Sequence, residues 1–236
     1  MSTGGYSYPA AISRLGSNEG SREPQNTRAI KWLLEQDGGE VVVVTPQKNF
    51  EGSSLRKLIA HPQVRHLSWK GFSAWSLHGT RALVAWPNRK ILNGLWDADA
   101  DALAIIEWNE NETAEWIDDA RPVVLLPGVT RAHQATEAEE PDVPLPNGID
   151  DIIEHVANMA AGYDSGLKWN EKDKLRADMM NRPDRWRDVT VEQVRAKCRA
   201  LGMRPDDVDT ITGYLQKRKD GKRFNVRTSY STFQFN

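Results

Sequence analysis

Apolar residues fall in short uniform runs through the first half of the chain and at helical spacing through the last third. Residues 40–45 hold four consecutive valines, a run too uniformly apolar to keep one face in water, and this predicts a strand covered on both sides. Before it, Asn26 or Thr27 is placed to cap a helix carrying Ile30, Leu33 and Leu34, which Gly38 and Gly39 stop. After it come a short helix over 53–60, strands over 64–69 and 82–86, a helix over 88–95, a strand over 102–108, a helix over 112–120 and a strand over 122–126. Such alternation predicts an α/β domain with a mostly parallel, five-stranded sheet and crossover helices. Segment 64–69 alternates and carries Arg65 and His66, which suits an edge strand.

Past residue 148 the period changes to that of helices. Ile152, Ile153, Val156 and Met159 keep one face of 149–161 apolar, and a second helix over 169–180 carries Leu175 and Met179. Thr190 with Gln193 three residues on forms a capping box, followed by an apolar stripe at Val191, Val194, Cys198 and Leu201. Pro205 suits the first turn of another helix, with Val208, Ile211 and Leu215 on its core face. Phe224, Val226, Thr228 and Tyr230 then alternate with polar residues, so 223–230 reads as a strand. Two short-linked helices before a strand predict a small winged-helix-like domain. Residues 128–147, with three prolines, three glutamates and no periodicity, read as a linker. The expected organisation is thus a flexible segment 1–25, an α/β domain 26–127, the linker, and a helical domain 148–236 ending in a basic strand or hairpin.

Charge separates the two halves. The 236 residues carry 31 basic and 33 acidic side chains, a formal charge of −2, so no field of one sign dominates. From Lys168 onward, however, 17 basic residues face 10 acidic ones. The cations concentrate at Lys217, Arg218, Lys219, Lys222, Arg223 and Arg227, interleaved with Phe224 and Tyr230, and this segment is the candidate contact for DNA or for a partner protein. Its competing explanation is an ordinary solvated helix end. Asp206, Asp207 and Asp209 at the start of the preceding helix would repel phosphates, which argues against the usual helix-turn-helix readout from that end. One cysteine, Cys198, excludes an internal disulfide framework and fits a reducing cytoplasm; the apolar runs are too short to span a membrane.

Candidate chemistry is sparse. The segment after the valine run, with Lys48 and Ser53, lacks both the Walker and the dinucleotide glycine patterns. The five histidines show no metal-ligand spacing, so neither a metal nor a cofactor is expected. Three expected strands end in tryptophan, Trp69, Trp86 and Trp108, which places an aromatic group with Arg89 along the carboxyl edge of the sheet as a possible partner surface. The simpler alternative is a layer of large side chains closing one end of the core.

The stretch from Asp188 to Lys219, together with the tryptophan-terminated segments 83–86 and 104–108, resembles early proteins of actinobacteriophages, and in size and layout the large recombination directionality factors that work with serine integrases. The resemblance implies a non-enzymatic protein in the bacterial host cytoplasm that binds an integrase, often on DNA, and changes which attachment sites recombine. A generic phage DNA-binding regulator is consistent with the same features. The alternative of another class is a nucleotide-binding or hydrolysing enzyme with a site around Lys48, Ser53, Arg89 and Glu107.

Overall fold

Three uniformly buried runs, Ala10–Ser13, Val41–Thr45 and Ala102–Ile106, are the spine of the N-terminal half. The computed structural model describes residues 6–131, 145–161 and 166–236, and the chain divides into two compact units on either side of residue 136. The first contains β1 (Ala10–Ser13), α1 (Glu23–Leu34), β2 (Val41–Thr45), α2 (Ser53–Ile59), β3 (Val64–Ser68), β4 (Arg81–Ala85), α3 (Arg89–Asn93), β5 (Ala102–Ile106), α4 (Glu110–Ala120), β6 (Val123–Leu126) and β7 (Val129–Arg131). The strand order is β3-β2-β4-β5-β1-β6-β7, parallel except for the final β6–β7 pair. This is an α/β fold with a mixed, mostly parallel sheet, and β3 is the predicted edge strand.

Side chains alternate across the sheet, so each strand feeds two cores. On one face Ala29 and Leu33 of α1 and Leu55 of α2 pack on Val41, Val43, Leu83, Ala104 and Ile106. On the other, Leu92 of α3 and Trp116 of α4 pack on Ile12, Val42, Val44, Val84 and Ile105. The helices that follow the neighbouring strands β1 and β5 therefore lie on opposite faces, and their loops part at the carboxyl edge, the position at which open α/β sheets leave a crevice.

Several expectations are corrected. The sheet has seven strands rather than five: β1 belongs to the segment expected to be flexible, and it lies between β5 and β6, with Ile12 opposite Ile105 and Val124. Residues 1–5 lie outside the described residues. Helix α1 starts at Glu23, with Pro24 in its first turn, so Asn26 is inside the helix and buried rather than a cap. β6 is only partly buried. The expected linker begins as the turn and strand of β7, and at its other end Leu145 is buried and Pro146–Gly148 form a 3-10 turn; the intervening residues 132–144 lie outside the described residues.

The second unit consists of α5 (Ile149–Ala161), α6 (Trp169–Asn181), α7 (Val191–Ala200) and α8 (Pro205–Lys219) around one core. The capping box closes as its sequence requires: the Gln193 backbone N–H donates to Thr190 Oγ1 at 3.1 Å and the Thr190 N–H to Gln193 Oε1 at 2.9 Å. Val194 and Cys198 are buried, whereas Leu201, the expected end of that stripe, is exposed. The strand expected over 223–230 is not formed, and no strand occurs among the described residues of this unit, so the wing of a winged helix is absent. A strand needs a neighbour, and none is present here; within the segment the Phe224 N–H donates to Met180 Sδ at 3.2 Å, and side chains hold the backbone that follows it. Asn181 Nδ2 donates to the carbonyls of Ser231 and Phe233 at 2.9 and 3.0 Å, and the Phe235 N–H donates to Asp178 Oδ1 at 2.9 Å.

Candidate functional site

The carboxyl edge of the sheet gathers the tryptophans. Trp69 follows β3, Trp86 follows β4 and Trp108 lies two residues beyond β5, and all three line one cavity of about 650 Å³ with Phe50 and Asn26, within the size range of small-molecule sites. Phe50, Trp86 and Trp108 meet edge to face, with ring centroids 5.9 Å and 6.2 Å apart. Trp108 is 59% exposed, so the group does not merely close the core. Trp86 adopts φ 56°, a left-handed conformation that costs a non-glycine residue roughly 1–2 kcal/mol. Its N–H donates to the Ile106 carbonyl at 2.8 Å, which holds the turn. Strain of this kind persists only where surrounding contacts fix it.

Polar groups on this cavity are left over. Asn26 is 1% exposed and its Oδ1 has no hydrogen-bond partner, and the buried indole nitrogens of Trp69 and Trp86 have none either. Sequence reasoning placed the three tryptophans here but missed Asn26 and Phe50. Arg89, expected with the tryptophans, is not among the residues lining the cavity; its backbone N–H, at the start of α3, donates to Glu112 of α4 at 2.6 Å.

Beside the cavity, the crevice between the β1 and β5 loops is occupied by the chain's own side chains. Arg14 Nε lies 3.1 Å from both carboxylate oxygens of the buried Glu107, and Thr113 donates to Glu107 Oε1 at 2.6 Å. Gln25 Nε2 donates to the carbonyls of Ser13 and Glu107, both at 2.8 Å, tying α1 to β1 and β5. Arg22 donates to the Glu107 carbonyl at 3.0 Å while its guanidinium stacks 4.0 Å above the Trp108 ring. Sequence reasoning missed this loop, whose signal is the apolar run 10–12 leading through Gly16 and Gly20 into Glu23 and Pro24.

Residues named for the alternative nucleotide site have partners of their own. The start of α2, where Ser53 stood as a phosphate-binding candidate, is taken by Glu23, which accepts from the Ser53 and Ser54 N–H groups at 2.5 and 3.1 Å and from Ser54 Oγ at 2.6 Å. These donors, the Ser54 hydroxyl foremost, hold the Glu23 carboxyl below its usual range. Lys48 is exposed near His66, the Glu107 carboxylate is bound to Arg14, and the Arg89 backbone N–H to Glu112.

In the second unit, Lys217, Lys222 and Arg223 are exposed at the C-terminal end of α8 and have no ion-pair partner among the described residues. Arg218 and Lys219 are partly engaged, donating to the Met179 and Arg187 carbonyls. Arg227 stacks 4.0 Å over Trp169 and pairs with the buried Asp173 at 3.4 Å. Phe224 packs against Tyr214, and Tyr230 against Trp169 and Phe233, so both expected stacking residues serve the fold. Asp207 is buried, accepting from the Leu167 N–H at 2.9 Å, and burial raises its carboxyl pKa. Burial likewise pushes the Cys198 thiol up to about 12, in keeping with a core position.

Among the described residues no group of His, Cys, Asp or Glu is placed to hold a metal ion, and no helix is long and apolar enough to cross a membrane. Compared with protein-family models, curated proteins and solved structures, the chain matches none.

Proposed function

We propose that this protein is an accessory factor of DNA transactions, acting in the cytoplasm of a bacterial host with a partner protein of the serine integrase type as a recombination directionality factor. In this reading the α/β unit offers a ligand or partner surface and the helical unit contacts DNA through the end of α8. The observation that carries it is the exposed, unpaired cluster of Lys217, Lys222 and Arg223. Cations at a helix C-terminus are favoured by the helix dipole, and in the last turn of α8 Arg218 and Lys219 are further engaged by the Met179 and Arg187 carbonyls. The remaining three are free to neutralise phosphates and release counterions.

The test replaces Lys217, Lys222 and Arg223 by glutamine, leaving Val208, Ile211 and Leu215 in the core. Wild-type affinity for duplex DNA should fall steeply with salt, and the variant should bind every sequence more weakly, with a slope flattened by about 0.9 per lost phosphate contact. Absence of wild-type binding to duplex and single-stranded DNA at low salt defeats direct contact. Failure to co-purify with a co-resident integrase, with or without its attachment sites, defeats the integrase part.

A further inference from the structure

We infer that the tryptophan-lined cavity at the carboxyl edge of the sheet is a nucleobase-binding site, a role separate from phosphate contact at α8. The ligand is identified by what the cavity lacks. Its walls are aromatic faces and edges from Phe50, Trp86 and Trp108, which favour a flat, apolar ring that can stack. Three of its lining residues carry buried polar atoms with no partner, and these are of both kinds: the Asn26 carboxamide oxygen lacks a donor and the Trp69 and Trp86 indole N–H groups lack acceptors, all three lying behind the open surface so that a ligand meets them once the side chains turn toward it. An ammonium or guanidinium group from a partner would donate to Asn26 yet leave both indoles unpaired. An aliphatic ligand would satisfy none of them. A nucleobase offers ring nitrogens and carbonyls as acceptors, exocyclic amines or imino groups as donors, and a planar face.

Charge at the rim selects against the phosphate end of a nucleotide lying inside. Glu23 and Glu51 line the cavity beside a single cation, Arg22, whose guanidinium is already spread over Trp108 and two backbone carbonyls. The base therefore enters and the sugar faces solvent, a geometry open to a free nucleoside or to an unstacked base of a single strand. The strained Trp86 fits this arrangement, because its left-handed backbone sets the ring between Phe50 and Trp108.

Calorimetric titration of the full-length protein with adenosine, guanosine, cytidine and thymidine, and in parallel with a short single-stranded oligothymidylate, tests the assignment. Binding with a dissociation constant on the order of 0.1 mM is expected for a ligand of this size. Trp108→Ala changes an exposed side chain, so folding is retained and affinity should fall tenfold or more. Asn26→Leu removes a buried carboxamide whose oxygen is unpaired, so its melting temperature should hold or rise while binding is lost. Nucleoside binding assigns the free ligand as the source. Binding of the strand alone, persisting in the Lys217, Lys222 and Arg223 glutamine variant and lost in Trp108→Ala, assigns a base within a strand. No binding of any nucleoside or of the strand overturns the inference, as does binding that survives both Trp108→Ala and Asn26→Leu.

Discussion

The two units place their buried polar side chains differently. In the α/β unit the interior of the sheet is almost wholly aliphatic; of its buried polar residues Ser13, Gln25, Asn26, Thr45 and Glu107 lie at or beyond the carboxyl ends of the strands, while Asn93 and Thr113 lie in α3 and α4 and Thr80 stands before β4. In the helical unit carboxylates enter the body of the fold: Glu171, Asp173, Asp178 and Asp207 are all buried. A sheet satisfies its backbone internally and needs only apolar filling, so polar side chains collect where loops and ligands meet. The small helical unit instead holds its irregular C-terminal tail by hydrogen bonds and ion pairs to helix α6. Polarity at the sheet edge is therefore a pointer to function, whereas polarity inside the helical unit is structural.

The largest expected effect tests that contrast at Asp178. Its carboxylate accepts from Trp186 Nε1 at 2.8 Å and from the Phe235 N–H, and it pairs with Arg185 at 3.4 Å, with no exposure to water. Asp178→Ala orphans all three and should cost about 3–5 kcal/mol. In chemical denaturation the transition of the helical unit should move while that of the α/β unit stays, and the last residues should become protease-sensitive. An equal shift in both transitions would mean that the units do not unfold separately.

Next comes the bridge between α1 and α2. Glu23→Ala removes the acceptor of two backbone N–H groups and one hydroxyl and should destabilise the α/β unit by about 1–3 kcal/mol, with Glu23→Gln losing less. Because the folded carboxyl is held below its usual value, this contribution is complete above the unfolded pKa of about 4.3 and disappears as pH falls through the lower folded value. Denaturation midpoints of wild type and Glu23→Gln should therefore converge in acid. Curves that stay parallel down to that range would remove the charged bond from the account.

A smaller effect is expected at the capping box, where Thr190→Ala should cost about 1 kcal/mol in the helical unit alone. Restoring most of it with Thr190→Ser would confirm that the hydroxyl, not the methyl group, supports α7.

How much of this was legible in the sequence follows from the same contrast. The valine run of β2 and the apolar runs of β4 and β5 identify themselves, since a continuous apolar segment of that length has nowhere to go but a doubly covered sheet. β1 does not: Ala10, Ala11, Ile12 and Ser13 are mostly small and are set among glycines and serines, and they become a central strand only because β5 and β6 receive them. Segment 223–230 misleads in the other direction, because alternation predicts a strand only where a neighbouring strand exists. The buried acids of α6 hid its inward face, and their partners, Arg227 for Asp173 and Phe235 for Asp178, lie more than fifty residues away. At the candidate cavity, strand-terminal tryptophans gave a readable signal. Asn26 read as a helix cap, although Glu23 and Pro24 suit a first helical turn.

The smallest effect concerns His66 at the edge strand, the group through which mild acid should reach the aliphatic unit first. Its Nε2 lies 2.7 Å from Thr45 Oγ1, and Thr45 gives its only hydroxyl proton to the Gln47 carbonyl at 2.8 Å. The hydroxyl must then accept, so His66 carries its proton on Nε2 in the neutral ring. Burial first, and the nearby Lys48 second, lower its pKa from the usual value. The unfolded chain, with a histidine pKa of about 6.5, takes up its proton before the native ring does, so stability is full above that pH and declines as pH falls toward the native value. Lys48→Gln removes one of the two causes while leaving the ring in place, and should raise the His66 pKa measured by NMR and weaken the decline. An unchanged pKa in that variant would leave burial as the sole cause, and a wild-type value at or above 6.5 would show that the ring is not held neutral by its surroundings.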